Sequence, residues 1–484
     1  MTKRPNILFL MTDQMQGRVL DPDSPCRTPC FDRLAARGVR ISNAYTPNAV
    51  CSPARASLMT GMLPHNHGVL EVTHCTDDDQ CNLRTDLPHW AQRLAEGGYR
   101  TGYFGKWHVE RSEDLARFGW QVDGGGESAR FREHRQRLLA GEPGEPEYSL
   151  SRTNNLPPGY PKSLLYGVTD RPAARRGMGV TTDLALEFLE ESVGGDAPWC
   201  CFVSTTEPHD PFIAGTEAFA QYDLDAIPLP PNVHDPLDGR PGLYRKAGRT
   251  WADMTDRERR EAAACYYASI TEIDGQYGRL IGLLEERGAL DNTIVVLTSD
   301  HGELLGAHGL YCKNVSGFEE VYQIPMVVAG PGIAEGEETA ARVGLHDLCP
   351  TLLELAGLKP FGDPDSRSFV ALLRDPAGQS DDFVSGYAEY HGTRYRITQR
   401  VVWEGSWKLV FNGFDFDELY NLDEDPYELQ NLADDPAHQE RLRDLVDRLW
   451  GRLRDTKDHA LLNAHYPILR LAPYGPAAPG ERGE

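Results

Sequence analysis

The sequence has no long hydrophobic run, no excess of positive charge, no paired cysteine motif and no internal repeat, and each absence removes a class of protein. Its first apolar run, Ile7 to Met11, passes straight into Asp13 with no small-residue cleavage site behind it, so no targeting segment is read there. Nothing approaches the roughly 20 apolar residues of a membrane span. These two absences make a cytoplasmic location, with no membrane partner, the expectation. Lysine and arginine number 49 against 73 aspartates and glutamates, a net charge of −24. That balance argues against nucleic acid and anionic lipid as partners. It leaves room for an anionic substrate, because a local cationic pocket can sit within a negative surface. The ten cysteines are scattered, and the close sets Cys26/Cys30, Cys75/Cys81 and Cys200/Cys201 lack the spacing of a structural zinc site. Most read as buried thiols in a reducing compartment. Cys51 is the exception.

Four short apolar runs read as buried strands, and each ends in a polar cluster. Asn6–Met11 leads to Thr12-Asp13-Gln14, and Tyr99–Phe104 leads to Gly105-Lys106-Trp107-His108. Trp199–Val203 leads to Glu207-Pro208-His209-Asp210, and Thr293–Leu297 leads to Ser299-Asp300-His301-Gly302. Continuous apolar strands fit a parallel sheet covered on both faces. Helical patterns lie between them: Pro29 to Arg37 before Gly38, Trp90 to Glu96 before Gly97, and Thr182 to Glu191 before Gly194. A longer helix starts at the capping box Thr255-Asp-Arg-Glu258 and runs to about Arg287. The fold class expected is α/β, a large, mixed, mostly parallel sheet sandwiched by helices. In such sheets ligands bind beyond the carboxyl ends of the strands, where all four polar clusters fall.

A chain of 484 residues favours one large domain plus a smaller one. Residues 1–360 are assigned to the large α/β domain, with a Gly-, Pro- and Arg-rich stretch of no clear period at about 123–177 read as an insertion or long surface loop. The breaker-rich segment Lys359 to Ser366 marks a boundary, and residues 361–484 are assigned to a smaller α+β domain. Its strands are expected at Arg400–Trp403 and Trp407–Phe411 and its helix near Gln439 to Arg454, followed by a loose tail from Pro473.

The sharpest motif is Cys51-Ser-Pro-Ala-Arg55 followed by Ala-Ser-Leu-Met-Thr-Gly61. Pro53 suits the first turn of a helix and Gly61 its end, which puts Cys51 at a helix N-terminus where negative charge is favoured. Arg55, one turn on, can reach back toward position 51. Taken alone, such a cysteine is usually a buried thiol. The motif, however, is similar to the signature of the type I sulfatases, of the alkaline phosphatase superfamily. The resemblance covers most of the chain: Pro5-Asn-Ile-Leu-Phe, Gly105-Lys-Trp-His108, Pro208-His-Asp-Pro-Phe212, Thr298-Ser-Asp-His-Gly302, Pro350 to Gly357, Glu418-Leu-Tyr-Asn-Leu and Asp425-Pro426.

That resemblance implies that a formylglycine-generating maturation enzyme oxidises Cys51 to formylglycine, an aldehyde that hydrates to a geminal diol. It implies one divalent metal, Ca²⁺ first with Mn²⁺ or Mg²⁺ as alternatives, held by Asp13, Gln14, Asp300, His301 and the diol at Cys51. Carboxylate oxygens suit such hard cations. Gln14 departs from the family, many of whose members have a second aspartate there, so the site carries one negative charge fewer. Arg55 and Lys106 would hold the diol. His108 would take a proton from it as the covalent sulfate is expelled, and His209 and Lys313 would grip the sulfate, one of them protonating the leaving alcohol. Lys313 is the least distinctive by pattern, while His308, Cys312 and His346 read as structural. His74 to Gln80, and Glu389-Tyr390-His391 with Arg394, lie where they could select substrate, but a solvated face or a domain contact is the better reading of both.

The expected reaction is hydrolysis of a sulfate monoester, a small anionic ester of a sugar or of an aryl or alkyl alcohol. Two alternatives remain open: a phosphonate monoester or phosphodiester hydrolase of the same superfamily, and a catalytically silent binder of sulfated ligands.

Overall fold

The computed structural model describes residues 4–73, 87–141, 144, 147–154, 163–313, 317–362, 365–393, 397–413 and 415–462. The segment His74–Gln80, Arg394 and the tail from Pro473 lie outside these. The strands of the main sheet are β1 (Asn6–Thr12), β2 (Gly38–Ile41), β3 (Arg100–Gly105), β4 (Val122–Gly125), β7 (Trp199–Ser204), β9 (Thr293–Ser299), β10 (Met326–Ala329) and β11 (Glu337–Thr339), in the order β11-β2-β10-β9-β1-β7-β3-β4. Strand β10 runs antiparallel to both its neighbours, and the remaining pairs are parallel. The four strands read from the sequence are the adjacent central set β9-β1-β7-β3. Each is buried on both faces, which is why each appears as an unbroken apolar run.

Helices cover the two faces according to the alternation along β1. Leu8 and Leu10 join a core with α1 (Pro29–Ala35), α5 (Gly177–Ser192) and α6 (Asp256–Glu286). Ile7, Phe9 and Met11 join another with α2 (Cys51–Thr60), α3 (Trp90–Glu96) and α7 (Leu348–Leu355). On this second face Phe9, Phe202 and Tyr103 stack across three strands, at centroid separations of 4.4 and 4.7 Å. Thr255 caps α6 through the expected box with Glu258. Helix α1 ends at Ala35, earlier than expected, because the chain must straighten before Gly38 opens β2. Helix α5 begins five residues earlier than the pattern suggests, at Gly177. The glycine that hides this start is there for space: a Cβ at Gly179 would lie 2.3 Å from the carbonyl oxygen of Ala174.

The described residues of the 123–177 stretch include regular elements. They supply edge strand β4, helix α4 (Ala129–Leu138), and strands β5 (Tyr148–Thr153) and β6 (Leu164–Thr169), which form a separate sheet with β8 (Phe212–Gly215). The elements were hidden because α4 has no buried residue and β5 is mostly exposed, so neither shows an apolar period. Strands β12 (Ser385–Tyr390), β13 (Gln399–Glu404), β14 (Trp407–Asn412) and β15 (Glu418–Asn421) make an antiparallel sheet, with α8 (Gln439–Asp455) packed on it. This sheet docks beside α2. Glu389 of β12 pairs with His65, just after α2, and donates its backbone N–H to the carbonyl of Pro47. Tyr390 packs on Val50 and Val72, so it is buried where this sheet meets the chain beside α2. Among the described residues no helix is long and apolar enough to cross a membrane.

Candidate active site

The register of the parallel strands brings the four polar clusters together. Thr12 is opposite Ser299, and Met11 is opposite both Thr298 and Ser204, so Asp13 and Asp300 leave neighbouring strand ends side by side. Gly105 is opposite Ser204, which carries Lys106 and His108 to the same edge. Cys51 faces them as the first residue of α2, whose last turn closes on Gly61 at φ 72°. Asp13, Cys51, Asp300 and His301 are all buried, and their ligand atoms lie within 4.8 Å of one another.

Arg55 is the clamp of this group. Its Nε donates to Asp300 Oδ2 at 2.8 Å, its Nη2 to Asp13 Oδ2 at 3.3 Å, and its Nη1 to Ser204 Oγ and the Lys106 carbonyl at 2.8 and 2.9 Å. Its hydrogen bonds thus orient the carboxylates. Lys106 pairs with the same Asp13 oxygen. Asp300 Oδ1 accepts the backbone N–H groups of Gln14 and His301 at 3.1 and 2.9 Å. Burial pushes the Asp13 carboxyl up, but Lys106, His209 and Arg55 outweigh it and hold it well below the usual carboxylate range. Burial likewise raises the Cys51 thiol, and Lys106 and Lys313, with hydrogen bonds from His108 and His209, bring it far below its ordinary value. The position is built to carry negative charge.

His301 donates from Nδ1 to the Gly302 carbonyl at 2.9 Å, which leaves Nε2 as the lone-pair nitrogen. That atom and Asp13 Oδ1 are both buried without a hydrogen-bond partner. Orphaned acceptors at this depth are costly unless something binds them. With two carboxylates and an imidazole converging, the donor set fits a divalent cation.

On the other side of Cys51 stand His209 and Lys313. Lys313 Nζ donates to His209 Nε2 and to Gln14 Oε1, each at 2.7 Å, and His209 Nδ1 donates to the Asp210 carbonyl at 2.7 Å. Lys313 is buried, and Cys51, Asp13 and Asp210 overcome desolvation to keep it charged. Burial pulls His108 below its ordinary value. Gln14 and His108 both sit at positive φ, 69° and 53°.

Three residues here escaped the sequence reading: Ser204, Asp210 and Glu303. Gln14 Nε2 donates to Asp210 Oδ1 at 3.0 Å and to Glu303 Oε2 at 2.6 Å. The available signal was their place in the strand-end clusters, since Asp210 adjoins His209 and Glu303 follows Gly302. His308 is structural, bonded to Asp235 at 2.6 Å and stacked on Phe318, and buried Cys312 and His346 likewise lie outside the cluster around Cys51.

A family model described as Sulfatase matches residues 5–358, and one described as N-sulphoglucosamine sulphohydrolase, C-terminal, matches residues 306–456. A choline-sulfatase of Rhizobium meliloti (strain 1021) is 31% identical over 466 residues, which cover 90% of this chain and 83% of its own. An N-acetylglucosamine-6-O-sulfatase of Bacteroides thetaiotaomicron is 24% identical over 527 residues, 95% of this chain and 88% of its own. Among solved structures, a phosphonate monoester hydrolase from Silicibacter pomeroyi shares the fold at a TM-score of 0.78 and 23% identity, over 95% of this chain and 97% of its own.

Proposed function

The chain belongs to the sulfatase family of sulfuric ester hydrolases, and from that premise we propose that it hydrolyses the sulfate monoester of a sugar or a small alkyl or aryl alcohol at Cys51. The observation that carries this reading is the convergence of two buried carboxylates, an orphaned imidazole nitrogen and two lysines around one cysteine at a helix N-terminus. Oxidised to formylglycine, position 51 supplies a hydrated aldehyde whose hydroxyl is the nucleophile. Asp13, Asp300, His301 and position 51 would hold a divalent cation, which would supply charge to neutralise the ester oxygens.

The remaining work falls to the chain's own side chains. Arg55 pairs with both carboxylates and Lys106 with Asp13, which holds them in place. Lys313 and His209 face the sulfate and the bridging oxygen, where negative charge grows as the S–O bond breaks. His108, hydrogen-bonded to position 51, receives the proton that the diol gives up.

The relatives named above act, by their names, on choline sulfate and on a sulfated sugar, which sets the panel for the test. The formylglycine-bearing enzyme is assayed on choline sulfate, N-acetylglucosamine 6-sulfate, 4-nitrophenyl sulfate and a 4-nitrophenyl phosphonate monoester. The expected outcome is a higher kcat/KM on at least one sulfate than on the phosphonate. A consistent preference for the phosphonate would replace this reading with that of a phosphonate monoester hydrolase.

A further inference from the structure

The side-chain amide of Gln14 is held in one orientation. At one end Lys313 Nζ, a donor only, meets Oε1 at 2.7 Å. At the other, two carboxylate oxygens meet Nε2, from Asp210 at 3.0 Å and from Glu303 at 2.6 Å. A flipped amide would set N–H against ammonium and carbonyl against two carboxylates, so the partners alone fix which end is oxygen.

Glu303 controls Lys313 from both directions. Its Oε1 accepts the backbone N–H groups of Leu305 and Cys312, at 2.9 and 2.6 Å, which ties the two ends of the intervening loop together. Lys313 is the next residue along that backbone. Its Oε2 meanwhile fixes Gln14, whose carbonyl receives the Lys313 ammonium at the tip of the side chain. Glu303 is fully buried and Lys313 nearly so, and they meet the site around Cys51 through Gln14 and His209.

We infer that Glu303 is a positioning residue for leaving-group protonation, acting through Gln14 and the 305–312 backbone to hold Lys313 beside His209. The inference rests on the proposed sulfate ester hydrolysis for its kinetic consequence, but not for its geometric one. It also turns Gln14 toward Lys313 instead of counting it among the metal's ligands.

The test is the near-isosteric Glu303→Gln. Its one carbonyl must serve the two backbone N–H groups, so its NH₂ meets the NH₂ of Gln14 and breaks that bond, which leaves the Gln14 amide anchored by Asp210 alone and loosens its hold on Lys313. Turnover of an unactivated alkyl sulfate should fall about tenfold to a hundredfold, the usual range for losing an outer-sphere partner, and that of 4-nitrophenyl sulfate much less. Metal and formylglycine content should be unchanged. Independently of turnover, limiting acetic anhydride should label Lys313 faster in Glu303→Gln than in the parent. Should Glu303→Gln lose its cooperative thermal transition, Gln14→Leu removes the same acceptor with both backbone bonds of Glu303 intact, and faster labelling is expected there too. Lys313 labelling at the parent rate in the folded variants, equal losses on both esters, or loss of metal would overturn the inference. Absence of any sulfatase activity in the parent would instead refute the function, while the labelling contrast would still decide the geometry.

Discussion

His301 Nε2 lies 3.6 Å from Asp13 Oδ1, and neither buried atom has a hydrogen-bond partner. Two acceptors left facing each other in a dry site make sense around a cation. Asp300→Ala should therefore lose bound divalent metal, read by elemental analysis, together with sulfate ester turnover. Because it also strips Arg55 of its bond to Asp300, the parent stripped by a chelator is the cleaner comparison, and its activity should return on adding back the metal. Full turnover by verified metal-free protein would contradict this.

His209 and Lys313 stand 2.7 Å apart beside Cys51, and their removal should cost rate without disturbing maturation or metal. Loss of one such donor typically costs around a hundredfold or more. His209→Ala should be most damaging with poor leaving groups such as sugar alcohols, and mild with 4-nitrophenyl sulfate. Equal losses on both would move the proton-donating role to Lys313. Lys313→Ala running at the parent rate on every ester would remove Lys313 from the mechanism.

A pH-dependent stability should arise where β12 meets the segment after α2. Burial pulls His65 down, but the Glu389 carboxylate outweighs it and pushes His65 up to about 9 from an ordinary value near 6.5. Because the folded value is the higher one, protonation favours folding. The contribution is complete below about pH 6.5 and disappears as pH rises through about 9. The stability gap between parent and His65→Gln, from urea denaturation, should be on the order of 3 kcal/mol near pH 6 and narrow toward about pH 10. A gap independent of pH over that range would contradict the ion pair with Glu389.

What was legible in the sequence follows from burial. Strands β1, β3, β7 and β9 are covered on both faces, so their apolar runs and the polar clusters at their ends stand out without knowledge of pairing. Strands β2 and β11, at four and three residues, carry Arg40 and Glu337-Glu338 and become strands only through their neighbours. The same limit applies within the site. Asp13, Asp300 and His301 follow strands directly and were found. The clamp geometry of Arg55 depends on how α2 faces two strand ends, and Glu303 acts across a loop that folds back from Cys312, so neither relation has a fixed spacing to read.

The central claim is that position 51 turns over sulfate esters only as formylglycine. The most direct measurement prepares the protein with graded amounts of maturation enzyme, quantifies the aldehyde on the Cys51 peptide by mass spectrometry, and plots sulfate ester turnover against that fraction. The account requires a straight line through zero, with folded Cys51→Ala at the origin. Turnover that stays constant as the aldehyde fraction falls, or that persists in Cys51→Ala, would contradict it.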